Sequence, residues 1–159
     1  MTSMEPQEIC FSPIGRVKNW VKEPMSYGWE EVTSEIELTV APELLDGIEG
    51  YSHIFVIFWM HRVSDEARSL TKIYPKDRQE LPLVGVYATR TQNRPNPVGM
   101  TLVKLLGRKG NRLKVQGLDA IDGTPVIDIK PYLPPYDALP DAKMPDWVRG
   151  QGYRKHSSE

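Results

Sequence analysis

One cysteine, Cys10, and three histidines in 159 residues are too few soft ligands for a cysteine-based zinc site, and Cys10 has no partner for an internal disulfide. No structural metal is expected. Long apolar runs are missing as well. The longest, Ile54 to Met60, has seven residues against the roughly 20 that a spanning helix needs. The first ten residues carry Glu5 and Glu8 with no basic or apolar signal region, which argues against a secretory leader. The expectation is a cytoplasmic protein that does not use a membrane. The chain also lacks a phosphate-cradling GxxxxGK[ST], a GxGxxG after a strand and a GxSxG elbow, which disfavours the common nucleotide-binding and hydrolase architectures. Finally, no Asp or Glu occurs between Leu81 and Leu118, where seven basic residues stand, although the whole chain has a net charge of -1. Such a stretch suits a phosphate- or carboxylate-bearing partner, or forms a solvated hairpin.

What is present is alternation. Ile36, Leu38 and Val40 interleave with Glu35, Glu37 and Thr39, the pattern of a strand with one wet face. Leu113 and Val115 alternate with Arg112, Lys114 and Gln116 in the same way. Leu102 to Leu106 is expected to pair with that strand through a basic loop, Gly107 to Asn111. Ile54 to Met60, apolar at every position, predicts a strand buried on both faces. Val84 to Thr89 and Val126 to Lys130 are shorter strand candidates. Helical signal is limited to Pro42 to Leu45 and to Asp65 to Tyr74, the latter capped by Ser64 and ended by Pro75. The reading is all-β: a single β-barrel domain over residues 11–150 with short helices, a flexible N-terminus over 1–10 and a frayed tail over 151–159. Six prolines between Pro125 and Pro145 predict an extended C-terminal segment.

Three clusters carry the candidate chemistry: Tyr51 to His61, Ala88 to Gly99 and Leu118 to Tyr132. Arg90 and Arg94 stand four apart ahead of Pro95-Asn96-Pro97, a backbone that proline holds nearly rigid. The guanidinium forks suit an anion, or they pair with Asp119 or Asp122. Asp122-Gly123-Thr124-Pro125 is a turn signal. Asp128, between Ile127 and Ile129, either forms a satisfied pair with Lys130 or faces a pocket. His61 ends the apolar strand, where an imidazole is either structural or faces a cavity.

Four ordered motifs, Phe11 to Gly15, Gly50 to His61, Gly85 to Gly99 and Asp122 to Tyr132, together resemble the TsaA-like, or TrmO, family. That resemblance implies a β-barrel unlike the Rossmann methyltransferases, S-adenosylmethionine as cofactor, a homodimer, and methyl transfer to N6 of a threonylcarbamoyl-modified adenosine beside the tRNA anticodon. A sulfonium methyl is already activated, so the protein's task is alignment, helped by an acceptor for one amine N–H. Asp128 and His61 are the candidate catalytic groups. Arg90, Arg94, Pro95, Asn96, Gly99, Met100, Leu118 and His61 are the candidate cofactor-binding residues. Arg108, Lys109 and Arg112 are expected to face RNA, and the dimer interface to lie near the Arg94 to Gly99 loop. The alternatives are a non-catalytic cofactor-binding or RNA-docking module, and a methyltransferase acting on a small molecule or a protein.

Overall fold

The computed structural model describes residues 7–151. Eight strands follow one another along the chain: β1 (Gly15–Lys18), β2 (Thr33–Leu38), β3 (His53–Trp59), β4 (Lys72–Ile73), β5 (Val84–Gly85), β6 (Val98–Lys109), β7 (Arg112–Gln116) and β8 (Pro125–Pro131). Six of them close a barrel in the order β1-β2-β7-β6-β3-β8, every neighbouring pair antiparallel. β4 and β5 form a separate two-stranded pair. Alternation explains the closure, since each strand sends every second side chain inward. Val17, Ile36, Ile54, Val56, Leu113 and Val115 fill the interior with almost no exposure, each contributing about 1.5–3 kcal/mol by leaving water.

Several elements differ from the sequence reading. β3 is not buried on both faces: Ile54, Val56 and Phe58 point inward while Phe55, Ile57 and Trp59 form a half-buried outer face. Tyr132 covers Phe55 edge-on at 5.8 Å between ring centroids. Val84 to Thr89 is strand for only two residues and then turns into a 3-10 helix, Val86–Ala88. The 65–74 helix is a single turn, α1 (Asp65–Arg68), capped as expected by the Ser64 hydroxyl accepting from the Ala67 N–H at 3.1 Å. The five-residue basic loop is absent too. β6 continues to Lys109, which pairs with Arg112, and Gly110 makes the turn at φ 60, a value that costs glycine nothing.

A register shift between Leu105 and Gly107 lets that long strand bend around the barrel.

Beyond β8 the chain is mostly irregular and exposed, with one α-helical turn, α2 (Pro134–Asp137), and one 3-10 turn, Asp146–Val148. Asp137 accepts the Leu133 N–H at 2.8 Å. Trp147 is half-buried, and Gln151, assigned by sequence to a frayed tail, is buried and donates through Nε2 to the Trp147 carbonyl at 2.8 Å. Residues 7–10 are exposed and lie outside any helix or strand, and the rest of both expected flexible ends lies outside the described residues. No helix among the described residues is long and apolar enough to cross a membrane.

Candidate functional site

Antiparallel closure brings the ends of β1, β3 and β7 and the starts of β2, β6 and β8 to one mouth of the barrel. A cavity of about 360 Å³ opens there, within the range of small-ligand sites. Met25, Trp29, Phe58, Met60 and Ile121 supply apolar wall, and His61, Arg90, Gln92 and Asp119 supply polar groups.

Local chemistry holds each wall in place. The segment after β1 is tied down by Asn19, whose amide nitrogen donates to the Ser34 hydroxyl at 3.0 Å and to the Ala120 carbonyl at 2.9 Å. Asp122 accepts the Asn19 N–H at 3.1 Å and the Lys22 ammonium at 2.6 Å. The Lys22 hydrogen bond, aided by the Asn19 N–H, holds its carboxyl below the usual range. Arg62 donates to the Lys22 carbonyl at 3.0 Å and pairs with Glu23 at 3.0 Å. The Trp29 indole donates to the Met25 carbonyl at 2.9 Å. Asp119 is exposed although Leu118 and Ala120 on either side are buried, because it opens into the cavity, where the buried Thr101 hydroxyl donates to it.

His61 has its pKa lowered, first by burial and then by the positive charges of Arg16 and Arg62. Its imidazole is therefore neutral at neutral pH, with one ring nitrogen available as an acceptor. Arg90 is exposed, and its guanidinium forms no hydrogen bond or ion pair among the described residues. Charged groups left unpaired at a cavity mouth are suited to a ligand of opposite sign.

Of the residues nominated from sequence, only His61 and Arg90 line this cavity. Arg94 turns instead into its own loop, donating to the carbonyls of Val86 at 3.0 Å and Thr89 at 2.7 Å, with its guanidinium carbon 5.9 Å from the Tyr87 ring centroid. Pro95 gives its carbonyl to Arg68 at 2.8 Å, and the Asn96 carbonyl accepts from the Val98 N–H at 2.7 Å. Gly99 lies under the Phe58 ring. Met100 sits opposite the outward Ile57 and is 53% exposed, and Leu118 is wholly inside the core.

Asp128 is corrected as well. It pairs across the ladder with Ile57 on the barrel's outer face and bonds Lys130 at 3.3 Å, so the satisfied-pair alternative holds. The three residues expected to face RNA differ in how they are paired. Arg108 is clamped by Asp46 at 3.3 Å, Glu49 at 3.2 Å and the Pro42 carbonyl at 3.0 Å, leaving 12% of its side chain exposed. Arg112 stands opposite Glu37 and 4.0 Å from Glu35. Of the three, Lys109 alone is exposed with no ion pair among the described residues.

Sequence reasoning missed Met25 and Trp29, and it gave no ligand role to Gln92 or to Asp119, although both stood inside the clusters it named. The available signal was large apolar residues in the aperiodic segment between β1 and β2, and a carboxylate between two apolar residues just before a turn. No cluster of three or more metal-ligating side chains occurs among the described residues.

A family model described as the tRNA-methyltransferase O N-terminal domain matches residues 18–138. A protein of Archaeoglobus fulgidus named a probable S-adenosyl-L-methionine-binding protein is 45% identical over 130 residues, covering 80% of this chain and 34% of its own length. The Escherichia coli tRNA (adenine(37)-N6)-methyltransferase is 37% identical over 145 residues, covering 83% of this chain and 61% of its own. A crystal structure of TrmO from Pseudomonas aeruginosa superposes with a TM-score of 0.72 at 33% identity, over 91% of this chain and 64% of that one. The chain spans less than two thirds of each of these relatives.

Proposed function

The chain belongs to the family of tRNA-methyltransferase O N-terminal domains, and from that premise we propose that it is an S-adenosylmethionine-dependent methyltransferase acting on tRNA. The acceptor in this reading is N6 of a threonylcarbamoyl-modified adenosine beside the anticodon, and the place of work is the cytoplasm. The observation that carries it is the barrel-mouth cavity, which joins an aromatic and thioether wall to one unpaired guanidinium, one carboxylate and one neutral imidazole.

Those residues fit the cofactor group by group. Arg90 binds its carboxylate. Asp119, fixed by Thr101, accepts from the ribose hydroxyls. Met25, Trp29 and Ile121 flank the adenine. When bound, the cofactor supplies a methyl group already activated by its sulfonium. His61, kept neutral by burial and by Arg16 and Arg62, adds no repulsion against that positive charge. Its free ring nitrogen accepts an N–H from the incoming amine, holding the lone pair toward the methyl group. Lys22 and Arg62 hold the 19–29 segment against the cavity and limit the entry of water.

The same reading includes a two-fold homodimer. Tyr87 (77% exposed), Val98 and Met100 leave an apolar surface beside the Arg94 to Gly99 loop, and a second copy is its natural cover. A persistent 18 kDa species by light scattering at micromolar concentration would remove the dimer.

Titration calorimetry with S-adenosylmethionine and its demethylated product, followed by labelled methyl transfer to total tRNA, tests the enzyme. The expected result is binding of both and label in tRNA. A cofactor-binding module without turnover is the second reading, favoured by the name of the Archaeoglobus relative. It predicts binding with no label in RNA, and methyl incorporation would end it.

A further inference from the structure

Across the Arg90–Gln92 ridge from the barrel mouth lies a second cavity of about 340 Å³, of which the proposed cofactor site uses Arg90 alone. We propose that it seats the ribonucleotide next to the target adenosine of the acceptor RNA, with its phosphate on Lys76. This inference rests on the tRNA-methyltransferase reading above.

Placement is the first argument. The two cavities have only Arg90 and Gln92 in common. A base that turns into the barrel mouth therefore leaves its neighbour in the strand over the second cavity. Unpaired, splayed nucleotides are what proteins read in RNA.

Chemistry is the second. Lys76 and Asp77, neighbours in the chain, bring an ammonium and a carboxylate to the lining, while Arg90 serves the cofactor carboxylate. A site for a free anion would have no use for Asp77. A ribonucleotide has a use for both: its phosphate takes the ammonium donor, and its 2′-hydroxyl donates to the carboxylate. Gln92 and Asn93 add carboxamides that donate and accept at a base edge, and Tyr74 adds a ring.

The third argument is rigidity. Lys76 (φ 52, ψ 32) and Asp77 (φ 55) are the only described non-glycine residues at positive φ, and they are adjacent. Such conformations persist where surroundings over-determine them, and they concentrate at functional sites. Here Pro75 is buried, the Asp77 N–H donates to the Tyr74 carbonyl at 3.0 Å, and the Lys76 ammonium donates to the Gln151 carbonyl. The opposite wall is stiffened by two hydroxyl turns, Thr91 N–H to Thr89 Oγ1 and Asn93 N–H to Thr91 Oγ1, each 3.2 Å. A ligand meets both walls with little ordering left to do.

The test compares wild type, Lys76→Met, Lys76→Arg and Asn93→Ala for tRNA binding by filter retention across a salt series, with cofactor affinity measured by calorimetry. For Lys76→Met we expect tRNA affinity to fall about tenfold and the salt slope to shrink by about one. Cofactor affinity should be unchanged, with recovery in Lys76→Arg. Asn93→Ala, which spares the Gln151 contact, should weaken tRNA binding at unaltered melting temperature, so that a misfolded Lys76 variant still leaves a reading. An anticodon stem–loop with a neutral methylphosphonate at the phosphate flanking the target should lose the same factor on wild type and nothing further on Lys76→Met. Equal binding of both RNAs by wild type, or wild-type tRNA affinity in Lys76→Met and Asn93→Ala, overturns the proposal. Because binding is read without turnover, failure of methyl transfer with these differences intact would count against the enzyme and not against the cavity.

Discussion

Gly99 lies directly under the Phe58 ring: the two residues face each other across the β3–β6 ladder, and a methyl group at Gly99 would overlap three of the ring's carbons. Phe58 also lines the barrel-mouth cavity, so backbone packing and ligand wall are one contact. Gly99→Ala should destabilise the fold by about 1–3 kcal/mol through overpacking. The displaced ring should weaken cofactor binding as well. Chemical denaturation and calorimetry on the folded fraction check both, and a variant with wild-type stability would show that the ring has room to move.

Arg94 behaves as a clamp, and its loss should register in stability. Arg94→Ala leaves the Val86 and Thr89 carbonyls without their guanidinium donor, at a cost of about 1–3 kcal/mol. For a chain of this size, that lowers the melting temperature by about 2–4 °C per kcal/mol. Cofactor affinity per folded molecule should change much less than in Arg90→Ala. If Arg94→Ala melts like wild type and loses the cofactor, its guanidinium serves the ligand after all.

The lowered pKa of Asp122 makes a prediction about acid. A carboxylate whose folded pKa lies below its unfolded value contributes stability that is complete above the ordinary carboxylate range and disappears as pH falls through the folded pKa. Denaturation midpoints followed from pH 6 down to pH 2 should therefore fall more steeply in wild type than in Asp122→Asn, which keeps the shape without the charge. Parallel curves would assign the acid sensitivity to other groups.

His61 makes the complementary prediction for binding. Its pKa is pushed down from 6.5 by burial, Arg16 and Arg62, so its imidazole stays neutral through the physiological range. Affinity for S-adenosylmethionine should be flat from pH 8 to 6.5 and weaken below that as the imidazole charges and repels the sulfonium. The demethylated product, whose sulfur is uncharged, should show a smaller loss over the same range. Identical acid limbs for the two ligands would place His61 away from the sulfur.

Arg108→Ala should loosen the 42–49 segment and leave the salt dependence of tRNA binding unchanged, since its guanidinium is occupied by Asp46, Glu49 and the Pro42 carbonyl. Lys109→Ala serves as the exposed control. Hydrogen exchange at residues 42–49 is the direct measurement; protection there equal to wild type would contradict the clamp.

Alternation made most of the barrel readable, because burial on one face repeats every second residue in β2, β7 and the inner half of β3. The bulges at Leu105/Gly107 and Ile57/Phe58 leave no such trace, since an extra residue in a strand does not change its composition. The acid-free stretch is less cationic in the fold than along the chain, for a related reason. Charge was counted along the chain, whereas register sets Glu35 opposite Lys114 and Glu37 opposite Arg112. His61 and Arg90 were found because strand ends and rigid loops gather at a barrel mouth. Arg94, four residues from Arg90 and of the same type, differs only in where its loop turns it, and only coordinates resolve that difference.

Closure of the six-stranded barrel limits how this chain can meet others. Each barrel strand has a neighbour on both sides, and the remaining described pair, β4 with β5, offers edges only two residues long. Among the described residues, ladder positions stay open only where β8 (127–131) and β6 (98–103) run past their shorter neighbours β1 and β7, so most contacts with a second copy or a nucleic acid fall to side chains and loop amides. Recognition by this scaffold can thus be altered one residue at a time, at Tyr87 or Asn93, without unpicking the hydrogen-bond network that holds the fold.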